Sequence, residues 1–194
     1  MYANVMANKY DKAKALRCPF CREPADDDEN KKRMMIRIKA NDPAALCHMA
    51  VKCYDEGDYD AAFDHFTKAA ELGNVDAHCR LGICYHEGEG VEKDEEKVVY
   101  HWQKAAIGGH HIARYNLAVI EGEHGNIERS VKHLIIAAKI GEEDSMKLLW
   151  THYSLGNITK EELDATLRTH QAAIDETKSE QRDAGEAFFQ RIGL

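Results

Sequence analysis

Lys68-Ala69-Ala70-Glu71-Leu72-Gly73 returns as Lys104-Ala105-Ala106-Ile107-Gly108-Gly109, and again as Ile136-Ala137-Ala138-Lys139-Ile140-Gly141. The closing glycines, residues 73, 109 and 141, stand 36 and then 32 positions apart. A second phrase alternates with the first. It reads Met49-Ala50-Val51-Lys52-Cys53, Leu81-Gly82-Ile83-Cys84-Tyr85, Leu117-Ala118-Val119-Ile120-Glu121, and more loosely Leu149-Trp150-Thr151-His152-Tyr153. Two alternating phrases at this period predict an array of helix-turn-helix units.

Each phrase has a physical reading. A large apolar residue followed by a small one, as in Leu81-Gly82, lets two helices approach closely. Ala62, Phe66 and Ala69 fall at i, i+4 and i+7, which places them on one buried stripe. Val98, Trp102 and Ala105 take the same places in the next unit, then Ser130, Leu134 and Ala137. The glycines suit left-handed C-terminal caps that end one hairpin and start the next.

Leu81-Gly82-x-x-Tyr85-x-x-Gly88-x-Gly90-Val91-x-x-Asp94, with Trp102-x-Lys104-Ala105-Ala106 after it, resembles a Sel-1-like repeat of the tetratricopeptide superfamily. Gly88 to Asp94 matches that family's longer inter-helix turn. Gly57-Asp58-Tyr59-x-x-Ala62 is similar to the plain tetratricopeptide form, and the third unit departs further, with Glu121 where an aromatic is usual. The resemblance implies an all-α fold: a right-handed α-solenoid of repeats over 42–175, divided at about 42–75, 76–110, 111–142 and a divergent 143–175.

Outside the array, Asp42-Pro43 reads as an N-cap followed by a first helical position. Met34, Met35, Ile36 and Ile38 predict a lead-in helix over 33–40, and 25–41 as a whole reads as acidic linker plus that helix. His110-His111 reads as loop between units. Trp150 stands where Ala50, Gly82 and Ala118 stood, so its ring is expected to hold the paired helix farther away. Thr159-x-x-Glu162 is a capping box, opening a helix with a stripe of Leu163, Leu167, His170 or Gln171, and Ile174. Residues 176–194 are expected to be a tail or capping helix carrying Phe188, Phe189, Ile192 and Leu194.

Composition narrows the function. The net charge is −8, whereas a general nucleic-acid binder needs a basic footprint. No apolar run approaches the ~20 residues that cross a bilayer, and the first residues lack a secretory apolar core. The expected setting is cytoplasmic, with the nucleus as the alternative, and neither nucleic acid nor membrane is expected as partner. Four of the 6 cysteines (Cys47, Cys53, Cys79, Cys84) fall in helical patterns, where a free thiol acts as a small apolar residue.

Cys18-Pro19-Phe20-Cys21 stands apart. Two thiolates in such a turn can share a tetrahedral zinc, given further ligands. An inert thiol pair and a redox pair are the other readings. The Cys-Pro-x-Cys turn and its Arg22-Glu23-Pro24 exit resemble the last ligand pair of a RING finger in proteins that join a RING to Sel-1-like repeats. Residues 1–17 contain no Cys or His, so 1–24 is expected to be a truncated RING-like remnant. Two thiolates alone do not fold a two-zinc domain.

No local motif sets up a catalytic triad, and the chain is read as a non-enzyme. The resemblance implies a scaffold that binds a protein or peptide through its concave face, with no cofactor for the array. The superfamily's concave positions map to Cys47, Val51, Tyr54, Cys79, Ile83, His86, Tyr115, Val119, Lys147 and Thr151. The alternative is the substrate-binding part of a RING-type ubiquitin ligase. That reading requires a complete RING, which would add a ubiquitin-conjugating enzyme as partner.

Overall fold

The structure is a computed structural model describing residues 27–177. Among them every regular element is helical: α1 (Asp27–Lys39), α2 (Pro43–Glu56), α3 (Tyr59–Glu71), α4 (Val75–Glu87), α5 (Glu95–Ile107), α6 (His111–Glu123), α7 (Ile127–Lys139), α8 (Glu143–Ser154) and α9 (Lys160–Thr177). Consecutive helices pack pairwise as α2/α3, α4/α5 and α6/α7, and each pair stacks on the next. The chain is therefore a solenoid, not a closed bundle.

The turns follow from local chemistry. Asp42 accepts from the backbone amides of Ala44 and Ala45 at 2.9 and 3.2 Å, with Pro43 at the first helical position. Asp58, Asn74 and Asp94 cap the following helices in the same manner. The three phrase-ending glycines, Gly73, Gly109 and Gly141, adopt φ of 84°, 90° and 94°, a region open to glycine at no steric cost.

The predicted stripes form the core. Ala62, Phe66 and Ala69 are fully buried, as are Leu134 and Ala137, while Val98, Trp102, Ala105 and Ser130 are at most 5% exposed. Three apolar clusters run along the array. The first joins α2, α3 and α4, the second α4, α5 and α6, and the third α6 to α9. Each cluster thus spans a junction between pairs, as a repeat that cannot close its own core requires.

Four expectations need correction. Residues 27–29 are not linker but the first turn of α1, and Glu29 pairs with Arg33 at 2.7 Å. His110 is not loop. Its Nδ1 accepts from the amide of Ala113 at 3.3 Å, making it the N-cap of α6, with His111 as the first helical residue. On α9 the buried residues are Leu163, Thr166 and His170, and Leu167 is exposed. The Thr166 hydroxyl donates to the Glu162 carbonyl at 2.8 Å, which lets a polar residue sit in the interface. Trp150 does not stand between two helices, since its ring is 50% exposed. The fourth pair departs for another reason: α9 lies against α7 as well as α8.

Candidate functional site

The candidate face is built on the first helices α2, α4, α6 and α8. Val51, Ile83, Val119 and Thr151 occupy one register position, 32, 36 and 32 residues apart. The three β-branched apolar side chains are half-buried and Thr151 is exposed. Val51 packs against the first cluster and Ile83 against the second. Each presents one side to the core and one to the surface.

Around this row the expected positions divide. The Tyr54 hydroxyl donates to the Glu89 carboxylate on the α4–α5 loop, and its ring meets Tyr59 edge-on at 5.2 Å. Burial and the Glu89 carboxylate both push the Tyr54 phenol up, so it stays protonated. Tyr115 packs on the third cluster. His86 is exposed, 5.9 Å from the Trp102 ring and 3.0 Å from the Glu87 carboxylate. Lys147 pairs with Asp144 at 2.8 Å, and the Thr151 hydroxyl donates to the Lys147 carbonyl at 3.3 Å.

Cys47 and Cys79 leave the face. They are 8% and 3% exposed and sit inside the first and second clusters. The carbonyl of Cys79 accepts the indole N–H of Trp102 at 3.1 Å, which ties that stretch of α4 inward against α5. Burial pushes the Cys47 thiol up to about 11 and those of Cys79 and Cys84 up to about 12. These thiols are inert packing groups. Cys18 and Cys21 lie outside the described residues. Among the described residues no group of three or more His, Cys, Asp or Glu is arranged to hold a metal, and no helix is long and apolar enough to cross a membrane.

A histidine row went unmarked by the apolar phrases. His65, His101 and His133 recur at the array's own spacings of 36 and 32 residues, on α3, α5 and α7. His101 Nδ1 meets His78 Nδ1 at 3.0 Å, and the His101 ring stacks on Tyr85 with centroids 5.6 Å apart. The Nδ1 atoms of His65 and His133 are buried with no hydrogen-bond partner among the described residues. Testing polar residues at the glycine spacing finds this row directly.

The stacked pairs, the shared clusters and the half-exposed row define a helical-repeat scaffold. The chain belongs to the Sel1 repeat family, whose model matches residues 43–74, 75–110 and 111–142. It is similar to HcpC, a Helicobacter pylori protein that carries a beta-lactamase name, at 36% identity over 81 residues, covering 36% of this chain and 28% of that protein. It is also similar to the rat DAP3-binding cell death enhancer 1, at 31% identity over 92 residues, covering 47% of this chain and 16% of that protein. The chain therefore spans less than a third of the curated relatives it matches.

Among solved structures, a Sel1 repeat protein from Oxalobacter formigenes superposes with a TM-score of 0.63 at 23% identity, covering 77% of this chain and 64% of that one. The antigen c5321 of uropathogenic Escherichia coli gives 0.62 at 25% identity, covering 76% and 33%. Both likenesses support the fold. Sel1 repeats are generally protein-interaction scaffolds that work without a cofactor.

Proposed function

We propose that this array holds an extended, largely apolar segment of a partner protein along the Val51–Ile83–Val119–Thr151 row. The observation that carries the reading is the register of that row: three half-buried β-branched side chains at one position of successive first helices. Arrays of this kind bind through the concave surface that the stacked units create. A row of this composition favours apolar side chains of a bound strand over a charged tail. Tyr54, His86, Tyr115 and Lys147 flank it and supply polar contacts at its rim. The free thiols of Cys47, Cys53, Cys79 and Cys84 fit a reducing compartment such as the cytoplasm.

Selection of peptides from a displayed random library tests the reading. The wild-type array is expected to enrich apolar, extended sequences, and Ile83→Arg is expected to lose them while keeping its helical content, with a midpoint lowered by the packing Ile83 gives the second cluster. Enriched peptides that Ile83→Arg retains would show that the row is not the binding face.

A further inference from the structure

In each of the first three pairs, one position of the first helix is covered by the second helix of the same pair. Ala50 is fully buried in a cluster with Ala62 and Phe66 of α3. Gly82 lies under Trp102 of α5, so closely that an added Cβ would stand 2.2 Å from the ring. Ala118 is fully buried with Val131 and Leu134 of α7. The equivalent residue of α8 is Trp150, and no helix among the described residues covers it: the ring is 50% exposed. Tyr153 meets it edge-on at 6.1 Å and is 36% exposed, and Leu155 just beyond is 67% exposed.

The helix that follows is engaged elsewhere. Leu163 of α9 joins the cluster of Leu134, Ala138, Met146 and Leu149, and His170 Nδ1 lies 2.7 Å from the carbonyl of Ala138 on α7. Among the described residues, therefore, no helix takes in the fourth pair the place that α3, α5 and α7 take in theirs, and what is exposed there is aromatic.

The chain carries a segment whose apolar spacing is similar to that of the helices that fill this place. The second helices present a small or β-branched residue, a large apolar one and an alanine at i, i+4 and i+7: Ala62–Phe66–Ala69, Val98–Trp102–Ala105 and Ser130–Leu134–Ala137. Gly185, Phe189 and Ile192 stand at the same spacing, with the larger Ile192 where the second helices have alanine and Phe188 beside them. The connector 178–184 spans up to about 24 Å when extended. That is close to the ~27 Å length of the 18-residue α9, so the segment can return along α9 to α8.

We propose that residues 185–192 seat on the Trp150–Tyr153 face and complete the fourth pair from a distance in sequence. Phe189 takes the place of Phe66 and Trp102, and the bulk of Trp150 replaces the close approach that Ala50, Gly82 and Ala118 allow. The inference does not rest on the groove reading, which concerns the neighbouring Val51–Ile83–Val119–Thr151 row.

Tryptophan fluorescence of the full chain reads the proposal, because the protein has only 2 tryptophans and Trp102 is buried. With the face covered, both indoles resist acrylamide quenching. Phe189→Ser with Ile192→Ser is expected to open one indole, making about half of the emission quenchable and red-shifting it, with helical content unchanged. Leu167→Ser, on the exposed side of α9, is the control and should change nothing. A wild-type chain in which one indole is already freely quenched overturns the proposal, as does a double variant that quenches like the wild type. Protection that disappears on dilution also overturns it, because the occupant is then a second copy of the chain.

Discussion

Gly82 and Trp102 share one space. A Cβ on residue 82 would fall 2.2 Å from both Cδ1 and Nε1 of the indole, and the indole is pinned by its 3.1 Å bond to the Cys79 carbonyl. Neither partner can yield. Gly82→Ala is expected to lower stability by about 2–3 kcal/mol, at the upper end of overpacking costs, despite the gain in helix propensity. Trp102→Ala should cost about 3–5 kcal/mol through the cavity it leaves. Combining Gly82→Ala with Trp102→Leu should recover part of the loss. Urea midpoints for the wild type, Gly82→Ala, Trp102→Leu and the double variant measure the coupling, and strict additivity would mean that the contact is not what limits this pair.

The α4–α5 loop reaches back onto the preceding pair. Gly90 has φ of 70°, and a Cβ there would meet the Tyr59 carbonyl oxygen at 2.3 Å. Gly90→Ala combines backbone strain with a clash and is expected to destabilise by about 2 kcal/mol or more. Tyr54→Phe removes only the hydroxyl that donates to Glu89 and should cost about 1 kcal/mol. Hydrogen exchange would place the Gly90→Ala effect at the junction of the first two pairs. A uniform loss of protection along the array would contradict that placement.

Acid should weaken the array before it reaches the carboxylates. Burial, then the neighbouring His78 and Lys97, hold the His101 imidazole down at about 4; burial also lowers His78, His133 and His152. In the unfolded chain a histidine takes up its proton near 6.5. The unfolded state therefore binds more protons between these values. Stability is full above about pH 6.5 and falls as the pH drops toward 4. For His101 the loss is on the order of 1–2 kcal/mol, after allowing for solvent screening of a half-exposed ring. His101→Gln should flatten the profile over that range in thermal melts from pH 7 to 4. A profile as steep as the wild type's would remove His101 from the account.

Loss of the His170 contact should loosen only the end of the array. His170 Nδ1 bonds the Ala138 carbonyl at 2.7 Å and the ring is 6% exposed. His170→Ala is expected to cost about 2 kcal/mol, from one buried hydrogen bond and its packing. Faster exchange should appear in α9 and the adjoining part of α7, with α2 to α5 unaffected. Equal acceleration in α3 would mean that the array unfolds as one unit.

The parts of this fold legible in sequence are those that repeat. Ala62, Phe66 and Ala69 announce a buried helical stripe by spacing alone, and Gly73, Gly109 and Gly141 mark its limits. Residues whose place depends on a distant contact were less legible. His170 is buried as its place in the stripe suggested, but Thr166 is buried where Leu167 was expected, because α9 is aligned by a bond to α7 and not by its own apolar pattern. Cys47 and Cys79 follow the superfamily's concave register, yet both are drawn into inter-pair clusters. His65, His101 and His133 keep the period, but polar residues inside an apolar stripe add nothing to a hydrophobic pattern. Cys18, Cys21 and the remnant expected around them lie outside the described residues.

The backward reach of the α4–α5 loop gives the array a mechanical asymmetry. With Glu89 held by Tyr54 and Gly90 set against Tyr59, the second coil of the spring is clasped to the first by groups on its rim as well as by its core. At the next junction the shorter α6–α7 turn makes only an exposed contact of this kind, His124 Nε2 to the Glu95 carboxylate at 2.7 Å. A tensile load along the axis is therefore borne unequally, and extension begins at the α8–α9 end while the first two coils move as one stiff body.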